Sequence, residues 1–340
     1  VGDVVRRTVA GVLVLFAALV PAGPALAGSA VMDDDGEEKL FTFRDPRITE
    51  SSGLAASPTR DGVYYTHNDS SAAPTFYAVG SDGRTRATYQ MRGAQARDWE
   101  AMAASKDASG RGVLWFADIG DNLNGAWPDI SIYKVMEPAT LRDATLPAVR
   151  YRFRYEDGAR NAEGIMVNPL TGRLFVVSKE FSGSIYQAPK KLRTDRVNVL
   201  RKVGAAPVMA TDAAFAPDGQ SYVIRTYFSA TVYRPSGRTV ARVPMPELAQ
   251  AESIAYTRDG TGLLTGSEGV RSPVYRVPLP ADVPTAAPSA SPASSPSPSR
   301  EPLAAREQEP SGLTVRDVLI WLAAAVGATA VIVFLARRTR

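Results

Sequence analysis

Five times along this chain of 340 residues an acidic residue opens a short apolar stretch. A Gly- or Pro-marked turn, a strand-like run and a segment ending near an aromatic residue then follow. The heads of the repeat are Glu50-Ser-Ser-Gly-Leu-Ala-Ala, Asp98-Trp-Glu100-Ala-Met-Ala, Ala162-Glu163-Gly-Ile-Met-Val, Thr211-Asp212-Ala-Ala-Phe-Ala and Ala251-Glu252-Ser-Ile-Ala-Tyr. Counted from Glu50, Glu100, Glu163, Asp212 and Glu252, the units are spaced 50, 63, 49 and 40 residues apart. Second runs follow at Val63-Tyr-Tyr-Thr, Leu114-Trp-Phe-Ala, Leu174-Phe-Val-Val, Tyr222-Val-Ile and Leu263-Leu-Thr, and third ones at Tyr77, Tyr133, Tyr186, Tyr233 and Tyr275. A unit of a few short strands cannot bury its faces alone, so repetition at this period predicts an all-β fold, a β-propeller. Five blades are expected, or six if one repeat has degenerated. The long second unit carries an insertion around Asp121–Asp129. Val149-Arg-Tyr-Arg-Phe-Arg-Tyr155 alternates apolar residues with arginines, as an outer strand with one wet face would. The fifth unit lacks an outer strand after Val277, and the run Leu40–Phe43 is placed to supply it and close the ring.

The two ends read differently. Residues 1–27 join Arg6-Arg7 to an apolar run and a small-residue cut site, as a secretory signal peptide does. The leading valine reads as a GUG start, which points to a bacterial precursor. Residues 28–38 form a loose acidic segment and 39–283 the propeller. Residues 284–315 are rich in Pro and Ser and predict an extended stalk. The uncharged run 318–336 has the length of a membrane-spanning helix, and the basic tail 337–340 would stay cytoplasmic. The expected location is the bacterial plasma membrane, crossed once, with the body outside. Residues 1–27 carry a net charge of +1 and residues 316–340 a net +3, which accounts for the whole +4 of the chain. A body without net charge and without a basic stripe argues against a nucleic-acid partner. There is no cysteine and one histidine, which removes thiol catalysis and the usual zinc sites.

Equivalent positions of a propeller converge on its axis, so Glu50, Glu100, Glu163, Asp212 and Glu252 are expected to ring one mouth of the channel, with Asp98 beside them. Carboxylates held that close raise one another's pKa or recruit a cation. Alternatively each accepts backbone N–H groups and orders the blades. A second set follows the second runs: Asn68-Asp69, Asp118-Ile-Gly-Asp121-Asn122, Lys179-Glu180, Arg225 and Ser267-Glu268. Within it, Asp118, Asp121 and Asn122 form the densest oxygen cluster and are candidate ligands of a hard cation such as calcium, or else members of a hydrogen-bonded turn. His67 is the one candidate general base, unless it is an ordinary polar-loop residue.

In Ala162–Glu180, Ala251–Tyr256 and Leu263–Glu268 the chain resembles bacterial extracytoplasmic propellers of the esterase-like phytase group. Asn68-Asp-Ser-Ser, Asp98-Trp-Glu and Asp118-Ile-Gly-Asp-Asn are similar to stretches of membrane-anchored propellers from high-GC bacteria. The resemblance covers about 50–280 and implies calcium-assisted hydrolysis of phosphomonoesters. Two functions are therefore expected as alternatives. One is a surface-displayed binding module for an extracellular ligand or protein. The other is a calcium-dependent phosphomonoesterase using the acidic channel.

Overall fold

A computed structural model describes residues 36–69, 73–123 and 125–284. The expected signal peptide, stalk and membrane span, and most of the acidic segment, lie outside the described residues. What is described is all-β, with 21 strands and no helix.

After β1 (Glu38–Thr42) the strands fall into five consecutive units. The first is β2 (Ser51–Ala56), β3 (Val63–Asn68), β4 (Thr75–Gly80) and β5 (Thr85–Arg92). The second is β6 (Trp99–Lys106), β7 (Gly112–Asp118) and β8 (Ile130–Met136), then β9 (Ala144–Pro147) and β10 (Val149–Tyr155). The third runs β11 (Ala162–Val167), β12 (Leu174–Ser178), β13 (Ser184–Gln187) and β14 (Asn198–Ala205). The fourth runs β15 (Ala210–Phe215), β16 (Tyr222–Thr226), β17 (Ser229–Tyr233) and β18 (Thr239–Pro244). The fifth has β19 (Ala251–Tyr256), β20 (Gly262–Ser267) and β21 (Pro273–Pro278).

Within each unit neighbouring strands pair antiparallel in sequence order, except that β8 skips β9 and pairs with β10. The fifth takes its outer strand from the other end of the chain: β1 pairs antiparallel with β21, from Glu38 opposite Arg276 to Thr42 opposite Pro273. β9 leaves the second unit and pairs parallel with β5 of the first. The arginine-striped β10 pairs with β8 and, through Phe153–Tyr155, runs parallel to β14, so it is not a free edge. Its Arg150, Arg152 and Arg154 are exposed while Phe153 and Tyr155 are buried, which is the period of two expected from the sequence. The first strands of the units touch in the order β2, β6, β11, β15, β19 and back to β2.

This cyclic order explains the composition of the strands. Each unit buries both faces against its two neighbours, so β7 and β11 are buried along their whole length rather than alternating. Five hydrophobic clusters fill the five spaces between units. Tyr65, Phe76, Trp99 and Phe116 join the first and second; Phe153, Ile165 and Val176 the second and third; Met166, Val177 and Ile224 the third and fourth. Val223, Val232, Ile254 and Leu263 join the fourth and fifth, and Phe41, Leu54, Val79 and Val274 join the fifth back to the first. No cysteine is needed where five interlocked cores exclude water.

Candidate functional site

A β-bulge recurs near the start of every innermost strand. The register slips between Ser51 and Gly53, Trp99 and Ala101, Ala162 and Gly164, Ala210 and Asp212, and Ala251 and Ser253. A bulge inserts one unpaired residue and re-aims its side chain. The five bulged residues are Ser52, Glu100, Glu163, Thr211 and Glu252. Two residues earlier stand Glu50, Asp98, Asn161, Met209 and Gln250. In four units the carbonyl of that earlier residue accepts the N–H of the residue just past the second strand. Asp69 bonds to Glu50 at 3.0 Å, Ile119 to Asp98 at 3.1 Å, Lys179 to Asn161 at 3.2 Å and Glu268 to Gln250 at 3.0 Å. Tyr227 occupies the corresponding place in the fourth unit. These tiers gather Glu50, Asp69, Asp98, Glu100, Glu163, Glu252 and Glu268 at one end of the ring, where Lys179 is the one cation of the tiers.

The register corrects the expected ring. Asp212 is not a bulged residue: it pairs with Arg225, in the place held by Gly53, Ala101, Gly164 and Ser253 elsewhere. It is fully buried, and its carboxylate accepts the N–H groups of Ala213 at 2.7 Å and of Ile254 in the next unit at 2.8 Å. Glu50 stands a tier outside the bulge, where the first unit has Ser52, whose hydroxyl donates to Glu268 at 2.7 Å. The carboxylates of the bulge tier are therefore Glu100, Glu163 and Glu252.

The members of the second expected cluster are engaged in separate hydrogen bonds. Asp118 accepts the Asp98 N–H at 3.0 Å and lies 3.7 Å from Arg97 Nε. Asp121 accepts the N–H groups of Ala126 at 3.1 Å and Trp127 at 2.9 Å, while Asn122 accepts from Asn161 Nδ2 at 3.3 Å. Asp121 thus braces the loop between β7 and β8, while Asp118 and Asn122 tie that strand end and loop to neighbouring segments. His67 is fully buried in the wall between the first two units, its ring edge-on to Trp99 and Phe116 at 5.5 and 5.9 Å. Burial lowers its pKa to about 4. Gly53 makes room for it, since a Cβ there would stand 2.2 Å from His67 Nε2. A ring so enclosed cannot exchange protons with a molecule at the mouth.

The oxygens that do converge belong to Asp69, Asp98 and Glu100, which offer one ligand atom each within 4.8 Å and could hold a metal ion. Gly120 keeps the space beside them open: a Cβ at that position would stand 2.3 Å from both Asp98 Oδ2 and Glu100 Oε1. Next to this group Lys179 bonds to Glu163 at 2.7 Å and lies over the Tyr227 ring at 5.0 Å. Among the described residues no salt bridge reaches Glu100, which is 6% exposed. Its carboxyl is pushed far above the usual range by burial and then by the charges of Glu163, Asp69 and Asp98. Burial, reinforced by neighbouring carboxylates, pushes Asp69 up to about 8. Burial also pushes Glu252 up to about 8, although Lys179 opposes it. Glu163 and Asp98 are raised as well, by burial, against the pull of Lys179 and Arg97 respectively. Burial disfavours the Lys179 ammonium, but Glu163 and Glu252 outweigh it and hold the group charged.

A cavity of about 560 Å³ lies at the other end of the inner strands, among residues such as Ala55, Ala103, Val167, Phe215 and Ala255. Its lining is mainly apolar, and of the charged residues Asp61, Lys106, Arg258 and Asp259 at its rim, Arg258 pairs with Asp61. Volume favours that end and chemistry favours the mouth, where several carboxyl groups with raised pKa values converge. The sequence alone could flag Glu100, Glu163 and Glu252 but not Ser52, Thr211 or Tyr227, which are recognisable only once the bulge is aligned. No protein-family model matches the chain, and no curated protein is detectably similar to it.

Proposed function

We propose that the described body is a five-bladed β-propeller and that its acidic mouth binds positive charge, as the recognition site of a module displayed outside a bacterial plasma membrane. Five four-stranded units, inner strands in cyclic contact and an outer strand borrowed from the N-terminal side support the architecture. The secretory and membrane-spanning sequence patterns at the two ends support the location.

The observation that carries the binding role is the convergence of Asp69, Asp98 and the buried Glu100, whose carboxyl group forms no salt bridge among the described residues. Carboxylates brought together at such a cost in ionisation are matched by a ligand that supplies positive charge. Among metal ions, calcium suits an all-oxygen donor set, because it accepts many carboxylate, carbonyl and water ligands in flexible geometry.

The alternative, a phosphomonoesterase, has less support. A phosphomonoester would bring negative charge to a mouth whose Lys179 is already paired with Glu163. His67, the only histidine, is enclosed in the wall. Hydrolysis would have to rest on several bridging cations.

A calcium titration of the melting temperature of the full chain, with magnesium in parallel, tests the proposal. A concentration-dependent rise that Glu100→Gln abolishes is the expected result, since a ligand bound by the native state alone stabilises it. A flat titration would remove the metal. Calcium-dependent turnover of p-nitrophenyl phosphate, lost in the same variant, would favour the hydrolase instead.

A further inference from the structure

The loops around the mouth carry an unusual share of the exposed apolar side chains. Among the described residues, the large hydrophobic side chains left exposed include Leu123, Phe181, Val208, Phe228 and Val270, at 66, 86, 44, 80 and 59%. Each is tied to a residue of the mouth. Phe181 lies two residues beyond Lys179, Phe228 directly follows Tyr227, and Val270 lies two beyond Glu268. Val208 precedes Met209, whose N–H bonds to the Glu180 carbonyl at 3.0 Å. Leu123 follows Asn122, which accepts a hydrogen bond from Asn161. Five loop positions from four of the five units therefore place apolar groups around one acidic centre.

Two of these loops also hold backbone in a costly conformation. Met209 and Arg271, at φ of 53° and 57°, are the non-glycine residues with positive φ among those described, and they adjoin Val208 and Val270. Such conformations persist where the surrounding structure imposes them, and they gather at functional surfaces. Exposed apolar groups set around a polar centre mark interaction sites.

We propose that mouth and rim form one docking surface for a partner protein, which places a lysine or arginine side chain in the acidic mouth and lays flanking apolar side chains on Phe181, Phe228 and their neighbours. This rests on the reading of the mouth as a site for positive charge and names the kind of ligand it takes. Charge complementarity selects the partner. The carboxyl groups of the mouth outnumber Lys179, and a cation brought beside them favours their ionised form, so a basic side chain is attracted. An anionic bilayer, the other surface that apolar loops could enter, is repelled. A simple cation would need the carboxylates and make no use of the rim.

Panning a random-peptide phage library on the full chain tests this, with the phenylalanine pair Phe181→Ser/Phe228→Ser and the carboxylate pair Glu100→Gln/Glu252→Gln as separate targets. The wild-type chain is expected to enrich peptides with a lysine or arginine between apolar residues. Synthetic versions of those peptides should bind each double variant about tenfold or more weakly, the loss of roughly 1.4 kcal/mol or more that marks an interface anchor. The phenylalanines are exposed, so their replacement should leave the melting temperature unchanged. No enrichment, or enriched peptides without a basic residue, would overturn the proposal. Binding lost with the carboxylates and kept without the phenylalanines would overturn the rim while leaving the acidic site standing. Loss with neither pair would remove both. Flotation with phosphatidylserine vesicles that requires Phe181 and Phe228, in place of peptide binding, would assign the rim to a membrane and overturn the protein partner.

Discussion

Grouping carboxylates at the mouth should lower the stability of the ligand-free protein as pH rises, and Glu100→Gln should relieve part of that loss. The sign follows from the direction of the shifts. Asp69 and Glu252 are raised to about 8 from 3.8 and 4.5, so the native state holds protons that the unfolded chain has released. Their stabilising contribution is full below the unfolded values and is lost as pH climbs through about 8. His67 works in the opposite sense. Its pKa falls from 6.5 to about 4, so it costs stability as pH drops below 6.5 and contributes little above that. The window from pH 6.5 to 8 therefore isolates the carboxylates. At about 1.4 kcal/mol per pH unit for each group, the two shifts would remove at most about 4 kcal/mol there. The groups interact and are partly solvated, so roughly half of that, ~2 kcal/mol, is the expected net loss. For a domain of this size ~2 kcal/mol corresponds to a fall of about 4–8 °C in melting temperature. Scanning calorimetry of the full chain in chelator at both pH values measures it. Glu100→Gln removes the most perturbed neighbour, so the fall should be smaller and the variant should melt above the parent at pH 8. Saturating calcium should raise the parent at pH 8 by more than at pH 6.5. A variant that melts below the parent at pH 8, with an undiminished pH dependence, would refute the claim that these carboxylates are held against their own repulsion.

Three further outcomes probe the frame. Gly53→Ala should cost about 1–3 kcal/mol through overpacking, measured by urea unfolding, because its Cβ would stand 2.2 Å from His67 Nε2 and 2.9 Å from the Met102 nitrogen. Phe41→Ala, in the strand that closes the ring, should cost about 3–5 kcal/mol and lower one cooperative melting transition, since Phe41 packs with Leu54, Leu264 and Val274 of the first and fifth units. A separate early transition confined to the N-terminal side would show that closure is not shared. Replacing His67 with Asn should flatten the loss of stability between pH 6.5 and 4, where the native imidazole resists protonation by up to about 3 kcal/mol.

What could be read in the sequence was what repeats on a coarse scale. Period, turn signals and apolar runs predicted the strands, and the missing outer strand of the fifth unit pointed to the segment that β1 fills. The single-residue register at the mouth was harder to read, because a bulge adds one residue without changing the apolar pattern around it. Glu50 and Asp212 look like members of the same ring as Glu100, Glu163 and Glu252 when heads are aligned by charge, yet pairing sets them two residues before and one residue after the bulge. That difference decides their chemistry. A bulged residue has left the ladder, which re-aims its side chain. Asp212, back in the ladder, spends its carboxylate on the backbone N–H groups of Ala213 and Ile254. The vacated places went to Ser52 and Thr211, so the carboxylates are unevenly shared, with the fourth unit contributing Met209, Thr211 and Tyr227. A ring built only to order its strands would gain by repeating one capping residue five times. An uneven ring, with three carboxylates drawn together at the first two units and a lysine at the third, is what the proposed binding role would call for, and strand ordering alone would not.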